Sequence, residues 1–247
     1  MKKLMHYPKA PIIEAVLALQ VLPCEGFNKS FYEDIKSELS KGYTSKDIDE
    51  MLLEFHIGED QQNNSQSKKK VGIRLESPDG RYVIQARENG YAFSILNYYD
   101  RWETFSKDAY KYWNVYKRIF KPQKVVRQAL RYINRIDIPE TSFELKEYFK
   151  VYPHLFDDDI NVKVAGFVMQ AQIPLPQKEG GVANITQTVV QPTKPGCSSI
   201  LLDIDVFDNK HFKPGTKGLK DRIEILRDQK NFVFKSSITD KTEILIS

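Results

Sequence analysis

The chain has 247 residues, enough to bury a substantial core in one large domain or in two small ones. Its 37 basic and 33 acidic residues leave a net charge of only +4, which excludes the dense positive field of a protein that coats DNA. Hydrophobic residues make up 41% of the chain, with 13 Tyr and 14 Phe, and this composition excludes global disorder.

The first seventy residues predict two strands, a helix and a loop. Pro11 precedes the first strand and Pro23 ends it, because proline interrupts strand pairing. The sequence predicts strands at 12–22 and 51–57. Helical spacing of apolar residues predicts a helix at 31–39, and low complexity predicts a mobile polar loop at 58–70.

A meander and a long helix follow. Three short strands are predicted at 71–76, 81–87 and 91–96, and the turn sequences PDG and ENG between them predict antiparallel pairing. Aromatic residues at steps of three and four predict an amphipathic helix over residues 102–120. We expect its aromatic stripe to pack in the core, while its additional tyrosines also suit a partner interface.

The order of elements begins again after residue 121. The patterns predict a strand at 125–138, a short helix at 142–149, strands at 162–173, 184–191 and 199–207, a helix from 216 to about 234, and a terminal turn or helix from 237. Both halves therefore contain a strand, a helix, several strands and a long helix, although no residue-level repeat is visible. We expect one co-folding unit over residues 1–247, with pseudo-repeat halves 1–121 and 122–247.

This order of elements predicts an α+β fold. The economical architecture is a curved antiparallel sheet, or two such sheets, with the long helices packed on one face. It is similar to the saddle-like and helix-grip groups of folds, in which a curved sheet leaves a concave surface. That similarity concerns the fold and assigns no function.

Cysteine content and hydropathy indicate the cellular compartment in which the protein is expected. Cys24 and Cys197 lack the spacing of a metal site and the density of a secreted disulfide scaffold. No apolar run approaches the ~20 residues that span a bilayer. Pro8 and Pro11 interrupt the apolar stretch that a signal peptide would need. We expect a cytoplasmic protein that does not associate with membranes.

Arginines recur on one side of several predicted strands. Along residues 125–138 the apolar side carries Val126, Leu130, Tyr132, Ile136 and Ile138, and the opposite side carries Arg127, Arg131 and Arg135. Arg74, Arg81 and Arg87 alternate with apolar residues in the same way. If these strands share a sheet, their guanidinium groups line one surface suited to phosphate or carboxylate groups. The candidate ligand-binding residues are Arg74, Arg87, Arg127, Arg131 and Arg135.

Neutralisation by carboxylates is the alternative interpretation of this surface. Cross-strand pairs with Glu76, Glu88, Asp137, Asp203 or Asp205 would use the positive charge locally. The choice between the two interpretations depends on which strands are neighbours, and no local pattern gives that.

Asp203 and Asp205 are the only catalytic candidates that the sequence offers. They lie at i and i+2 of LLDIDVF and so share a face of one strand. Two such carboxylates can bind a divalent metal together with a substrate phosphate, as metal-dependent nucleases do, or they can pair with the arginine strand. The sequence has no glycine-rich phosphate loop, no G-x-S-x-G motif and no His-x-x-x-His spacing. We therefore expect no metal site and no cofactor, and we favour a non-enzymatic protein.

Several segments together resemble a known family. They are residues 7–16 (YPKAPIIEAV), Trp102 with Phe105, Trp113 and Tyr116, residues 130–136 (LRYINRI), 202–205 (LDID) and 234–240 (FKSSITD). The chain resembles a sporadically distributed prokaryotic family of uncharacterised proteins of similar length. The resemblance extends over nearly the whole chain and implies a single co-folding unit. Because such patchy occurrence is typical of mobile and defence genes, it also implies a role in phage defence or a toxin-like system, without implying any catalytic residue.

Three functional hypotheses follow. The first is a non-enzymatic binding or assembly component of a prokaryotic multi-protein system, acting on a protein partner or by self-association. The second is binding of nucleic acid or another anionic ligand by the arginine-lined sheet face. The third is a metal-dependent nuclease centred on Asp203 and Asp205.

Overall fold

The computed structural model describes residues 7–39, 42–57, 62–154, 166–175 and 180–247, with side chains except at 52–67. Within these residues the chain forms nine strands and five helices. In chain order they are β1 (Ile12–Leu22), α1 (Ser30–Leu39), β2 (Thr44–Ile57), β3 (Gln62–Glu76), β4 (Tyr82–Arg87), β5 (Gly90–Leu96), α2 (Trp102–Phe120), β6 (Lys124–Ile138), α3 (Leu145–Tyr148), β7 (Val168–Pro174), β8 (Val182–Val190), β9 (Ser198–Asp208), α4 (Lys217–Ser237) and α5 (Asp240–Leu245).

All nine strands form one antiparallel sheet in the order β2-β3-β4-β5-β1-β6-β9-β8-β7. β1 and β6 lie side by side at its centre. The strands of the first half extend the sheet to one side of this pair, and those of the second half extend it to the other. The helices α2 and α4 follow β5 and β9, the two strands that flank the central pair. The two halves of the chain thus occupy the two halves of the sheet, while a duplication stays a prediction.

The helices α2 and α4 cover one face of the sheet because alternate strand residues there are large and apolar. Beneath α2, the rings of Tyr91 and Phe93 contact Trp113 and Phe105, with centroids 5.5 and 5.7 Å apart. Beneath α4, alternate residues of β6 and β9 are buried, namely Leu130, Tyr132, Ile136, Ile200 and Ile204. Full burial of each such side chain contributes roughly 1.5–3 kcal/mol. The predicted fold class, an α+β protein with a curved antiparallel sheet, is confirmed.

The remaining strand side chains point away from α2 and α4, and we call this side of the sheet the open face. At its centre the residues are small, because Ala92 of β5, Ala18 of β1 and Ala129 of β6 are successive register partners. Charged and amide side chains surround this centre together with apolar ones, such as Val16 beside Arg131 and Phe207 beside Ala129. The open face is therefore the side of the sheet to which the predicted arginine surface belongs.

Several predicted boundaries are wrong, and the largest error concerns the mobile loop at 58–70. β3 begins at Gln62 and pairs with β2 over its whole length, so residues 62–70 are strand, whereas 58–61 lie outside the described residues. Lys70 forms an ion pair with Asp47 at 2.8 Å, and Lys68 with Asp49 at 2.9 Å, between the two strands. A polar ribbon of this kind is held by backbone pairing and charge, which its composition does not distinguish from a loop.

The second half also differs from prediction in places. The helix predicted at 142–149 is a single turn, Leu145–Tyr148. The strand predicted at 162–173 is observed from Val168, and residues 162–165 lie outside the described part. Val125 is fully buried in place of the predicted Val126, because a register shift sets Val125 opposite Val21. The terminal element is helix α5, whose N-cap Thr239 side chain accepts a hydrogen bond from the Thr242 amide.

Candidate functional site

The structure brings all five candidate arginines to the open face. Arg127, Arg131 and Arg135 alternate with buried residues of β6. Arg74 of β3 and Arg87 of β4 alternate with buried residues of their own strands in the same sense. Neighbouring register positions connect these strands through β5 and β1, so the arginines share one surface.

Arg81 is the exception among the arginines discussed above. It precedes β4, which begins at Tyr82, so it is not a strand residue. Its guanidinium carbon lies 4.7 Å from the ring centroid of Tyr98, and its Nε lies 3.8 Å from Asp79 Oδ2 in the turn. Arg81 therefore belongs to the turn between β3 and β4.

The two central arginines of β6 are engaged by carboxylates of β9. Arg131 forms a two-pronged pair with Asp203, with Nε 2.9 Å from Oδ1 and Nη2 2.5 Å from Oδ2. Arg127 Nη2 lies 3.3 Å from Asp205 Oδ2. The Arg131–Asp203 pair is diagonal, since the direct register partner of Arg131 is Asp205, whereas Arg127 contacts a carboxylate that lies opposite the residue four positions further along β6. Neutralisation, the alternative interpretation in the sequence, therefore applies to these two arginines.

The outer arginines have carboxylate partners two residues along their own strands. Arg74 Nη2 lies 3.4 Å from Glu76 Oε2, and Arg135 Nε lies 3.3 Å from Asp137 Oδ1. Asp137 also accepts hydrogen bonds from the hydroxyls of Ser199 and Thr193. Burial acts to raise the pKa of Asp137, but these hydroxyls and Arg135 outweigh it, so the pKa is below its ordinary value.

These contacts bear on the metal hypothesis. Burial raises the pKa of Asp205, although Arg127 and Arg131 act to lower it. Asp203 binds the Arg131 guanidinium through both carboxylate oxygens, and Asp205 contacts the Arg127 guanidinium through Oδ2, so both carboxylates are engaged in ion pairs. In the part of the chain that the structure describes, no group of three or more Asp, Glu, His or Cys side chains could hold a metal ion. The arrangement supports ion pairing.

Arg87 is different from the other four arginines, since it forms no ion pair with any described carboxylate. Its two register neighbours are Gly72 of β3 and Gly90 of β5, so no side chain stands beside it on either strand. A Cβ atom at Gly72 would come within 2.8 Å of Arg87 Cγ, so the glycine provides the space for the arginine stem. Arg87 is an exposed residue.

A groove of about 230 Å³ lies between Arg87 and Arg127. Its floor includes Ala18, Gly90 and Ala92, and no carboxylate is among its lining residues. Amide side chains complete the lining, namely Gln20, Gln85 and Asn89. A second cavity of about 450 Å³ adjoins Arg87 toward β2, and its lining has mixed charge, with Asp49, Glu50, Lys69 and Glu88.

The aromatic side chains of α2 belong to the core. Trp102, Phe105, Trp113, Tyr116 and Phe120 are all buried, so the stripe is not available to a partner. The interpretation of this stripe as core packing is confirmed.

A buried ion pair on the helix-covered side was missed in the sequence. Arg222 of α4 contacts Asp208 at the end of β9, and their side chains are 3% and 8% exposed. Arg222 Nη2 and Gln229 Nε2 both donate to the Gly180 carbonyl at 2.8 Å, which attaches the segment before β8 to α4. The local sequence does not indicate this pair, because charged residues such as Arg222 and Asp208 are usually exposed to solvent.

No match was found when the chain was compared with protein-family models, with curated proteins and with solved structures. Among the described residues, no helix is long and apolar enough to cross a membrane.

Proposed function

We propose that the protein is a non-enzymatic binding component and that the open face of its sheet receives a protein partner. The observation that carries this proposal is the sheet itself, since α2 and α4 pack on one face and the opposite face presents small residues at its centre with charged and amide groups around them. An apolar centre with a polar rim is the usual anatomy of a protein interface, and the alanine centre of this face is apolar.

The dimensions support this role. Six neighbouring strands of the sheet, in the order β4-β5-β1-β6-β9-β8, span five interstrand spacings of about 4.8 Å. Six residues of each strand span about 20 Å. The platform therefore measures roughly 24 by 20 Å, about 500 Å² in projection. A specific interface buries ~800 Å² of accessible surface per partner, and the rough surface of a sheet exceeds its projection.

The charge distribution favours a protein over nucleic acid. Arg74, Arg127, Arg131 and Arg135 each have a carboxylate partner, so the face lacks the continuous positive field that phosphate backbones require. Paired charges at the rim of a surface set orientation and partner choice more than affinity. The assignment to a prokaryotic multi-protein system, such as phage defence, rests on the family resemblance alone.

Capture of a partner from native extract tests the proposal, with one substitution on the open face and one on the helix-covered side of the sheet. Ala18→Arg places a long side chain at the centre of the open face, and Lys107→Glu changes an exposed residue of α2. We expect the wild type and Lys107→Glu to retain the same specific protein, and Ala18→Arg to lose it. Light scattering identifies whether that protein is a second copy. A wild type that captures nothing and stays monomeric, or capture unaffected by Ala18→Arg, would refute the proposal.

A further inference from the structure

The groove between Arg87 and Arg127 combines features that differ from the rest of the open face. Arg87 and Arg127 stand in one row of register partners, Arg87–Gly90–Gln20–Arg127, at its two ends. Three interstrand spacings separate them, roughly 14 Å between Cα atoms. The two side chains therefore form opposite walls, with a floor of small residues between them.

Arg87 and Arg127 both line the groove, and each has guanidinium N–H donors that no described carboxylate engages. Arg87 has no carboxylate partner among the described residues, and glycines on both sides leave its side chain unobstructed. Arg127 is fixed in position, because its guanidinium carbon lies 4.2 Å from the ring centroid of Phe207 and one nitrogen faces Asp205. A guanidinium group has five N–H donors, and the contact with Asp205 uses one of them. Arg127 is thus both held in place and incompletely satisfied.

We propose that this groove binds a small molecule that carries two linked oxyanion groups. Each arginine binds one group, since guanidinium and oxyanion geometries match in two-pronged contacts. Side chains of Gln20, Gln85 and Asn89 donate further hydrogen bonds, and the small floor lets the ligand lie directly on the strands. The volume of about 230 Å³ admits a diphosphate or a dicarboxylate and excludes a folded nucleic acid. The site goes beyond the protein-binding role and does not depend on it.

Calorimetric titration of the purified full chain with pyrophosphate and, separately, with succinate tests the site. We expect saturable binding of at least one of the two anions at low ionic strength, and the tighter of the two identifies the source of the oxyanions as diphosphate or dicarboxylate. Arg87→Gln should weaken that binding roughly tenfold or more, because a charge-assisted contact is lost. Gln85→Glu should weaken it by a similar factor or more, since it places a carboxylate beside Arg87 at the i−2 position and removes an amide donor from the groove lining.

Arg135→Gln is the matched control, because it removes the same charge from the same face outside the groove. We expect it to leave the affinity unchanged within about twofold. The proposal would be overturned if the wild type bound neither pyrophosphate nor succinate. Equal weakening by Arg87→Gln and Arg135→Gln would also overturn it, because binding would then reflect net charge alone. Loss of partner capture has no bearing on this result, since the titration contains only the purified chain.

Discussion

Lys230 of α4 allows a direct test of how much a buried lysine lowers the free energy of unfolding. Its side chain is buried, and its Nζ lies 3.8 Å from the ring centroid of Tyr132. Burial, together with the neighbouring Arg227, lowers the pKa of Lys230 to about 7 from an ordinary value of 10.5. The ring face of Tyr132 opposes this shift, because it attracts the ammonium form. No described carboxylate pairs with Lys230, so Lys230→Met should stabilise the protein.

The magnitude follows from the two pKa values. An unfolded lysine is protonated below pH 10.5, whereas the folded one remains neutral down to about pH 7, so folding expels a proton in this window. Stability from this group therefore rises with pH between about 7 and 10.5. At 1.36 kcal/mol per pKa unit, the cost of Lys230 is about 4 kcal/mol at pH 7 and about 2 kcal/mol at pH 9. The contact with Tyr132 reduces these figures by roughly 1–2 kcal/mol.

Urea denaturation of the wild type and Lys230→Met at pH 7, 8 and 9 measures the difference directly. We expect the variant to be more stable by about 2–4 kcal/mol at pH 7, with an advantage that shrinks as the pH rises. Lys217→Met, at an exposed position of the same helix, should change stability by less than about 0.5 kcal/mol at every pH. A destabilised Lys230→Met variant, or an advantage independent of pH, would show that the lysine is protonated and held by Tyr132.

Two further predictions concern the ion pairs, alongside the partner-capture and anion-binding experiments. Arg222→Met should cost about 3–5 kcal/mol in urea denaturation, because Asp208 is then buried without its partner, and adding Asp208→Leu should restore most of the loss. The Arg131–Asp203 pair is about half exposed on the arginine side, with 49% of that side chain accessible, so a double-mutant cycle should give a coupling of about 1 kcal/mol that falls as salt increases. A coupling near zero would mean that the two-pronged contact does not form in solution.

The parts of the fold that could be predicted are those set by local alternation. The turn sequences after Ser77 and Arg87 fixed the meander, and the aromatic spacing from Trp102 to Phe120 fixed α2. The strand at residues 62–70 could not be predicted, because its polar composition is equally typical of a loop and its pairing with β2 is set only in the folded chain. The position of Val125 could not be predicted either, since a shift in pairing between β1 and β6 has no sequence signature.

The candidate site also has features that could be predicted from the sequence and features that could not. Which face of a strand an arginine occupies is local, so the shared surface could be predicted from alternation around Arg131. Its partner is not local, because β9 follows β6 by sixty residues and becomes its neighbour only in the assembled sheet. Even known strand neighbours would suggest Asp205, the direct register partner, instead of the diagonal Asp203 that the side chain binds. The groove needs the order of four strands, and sequence spacing does not supply it.

The contrast between Arg87 and Arg131 shows why only one part of the open face suits a free anion. Arg131 stands beside a strand that carries carboxylates at alternate positions, so its guanidinium is satisfied within the fold. Arg87 stands between two glycines, and its nearest position along the strand on the same side is Gln85, an amide where the other outer arginines have a carboxylate. A solvated guanidinium needs no partner for stability. The two direct register neighbours of Arg87 and the next open-face position of its strand therefore carry no carboxylate, which is the difference on which the proposed site depends.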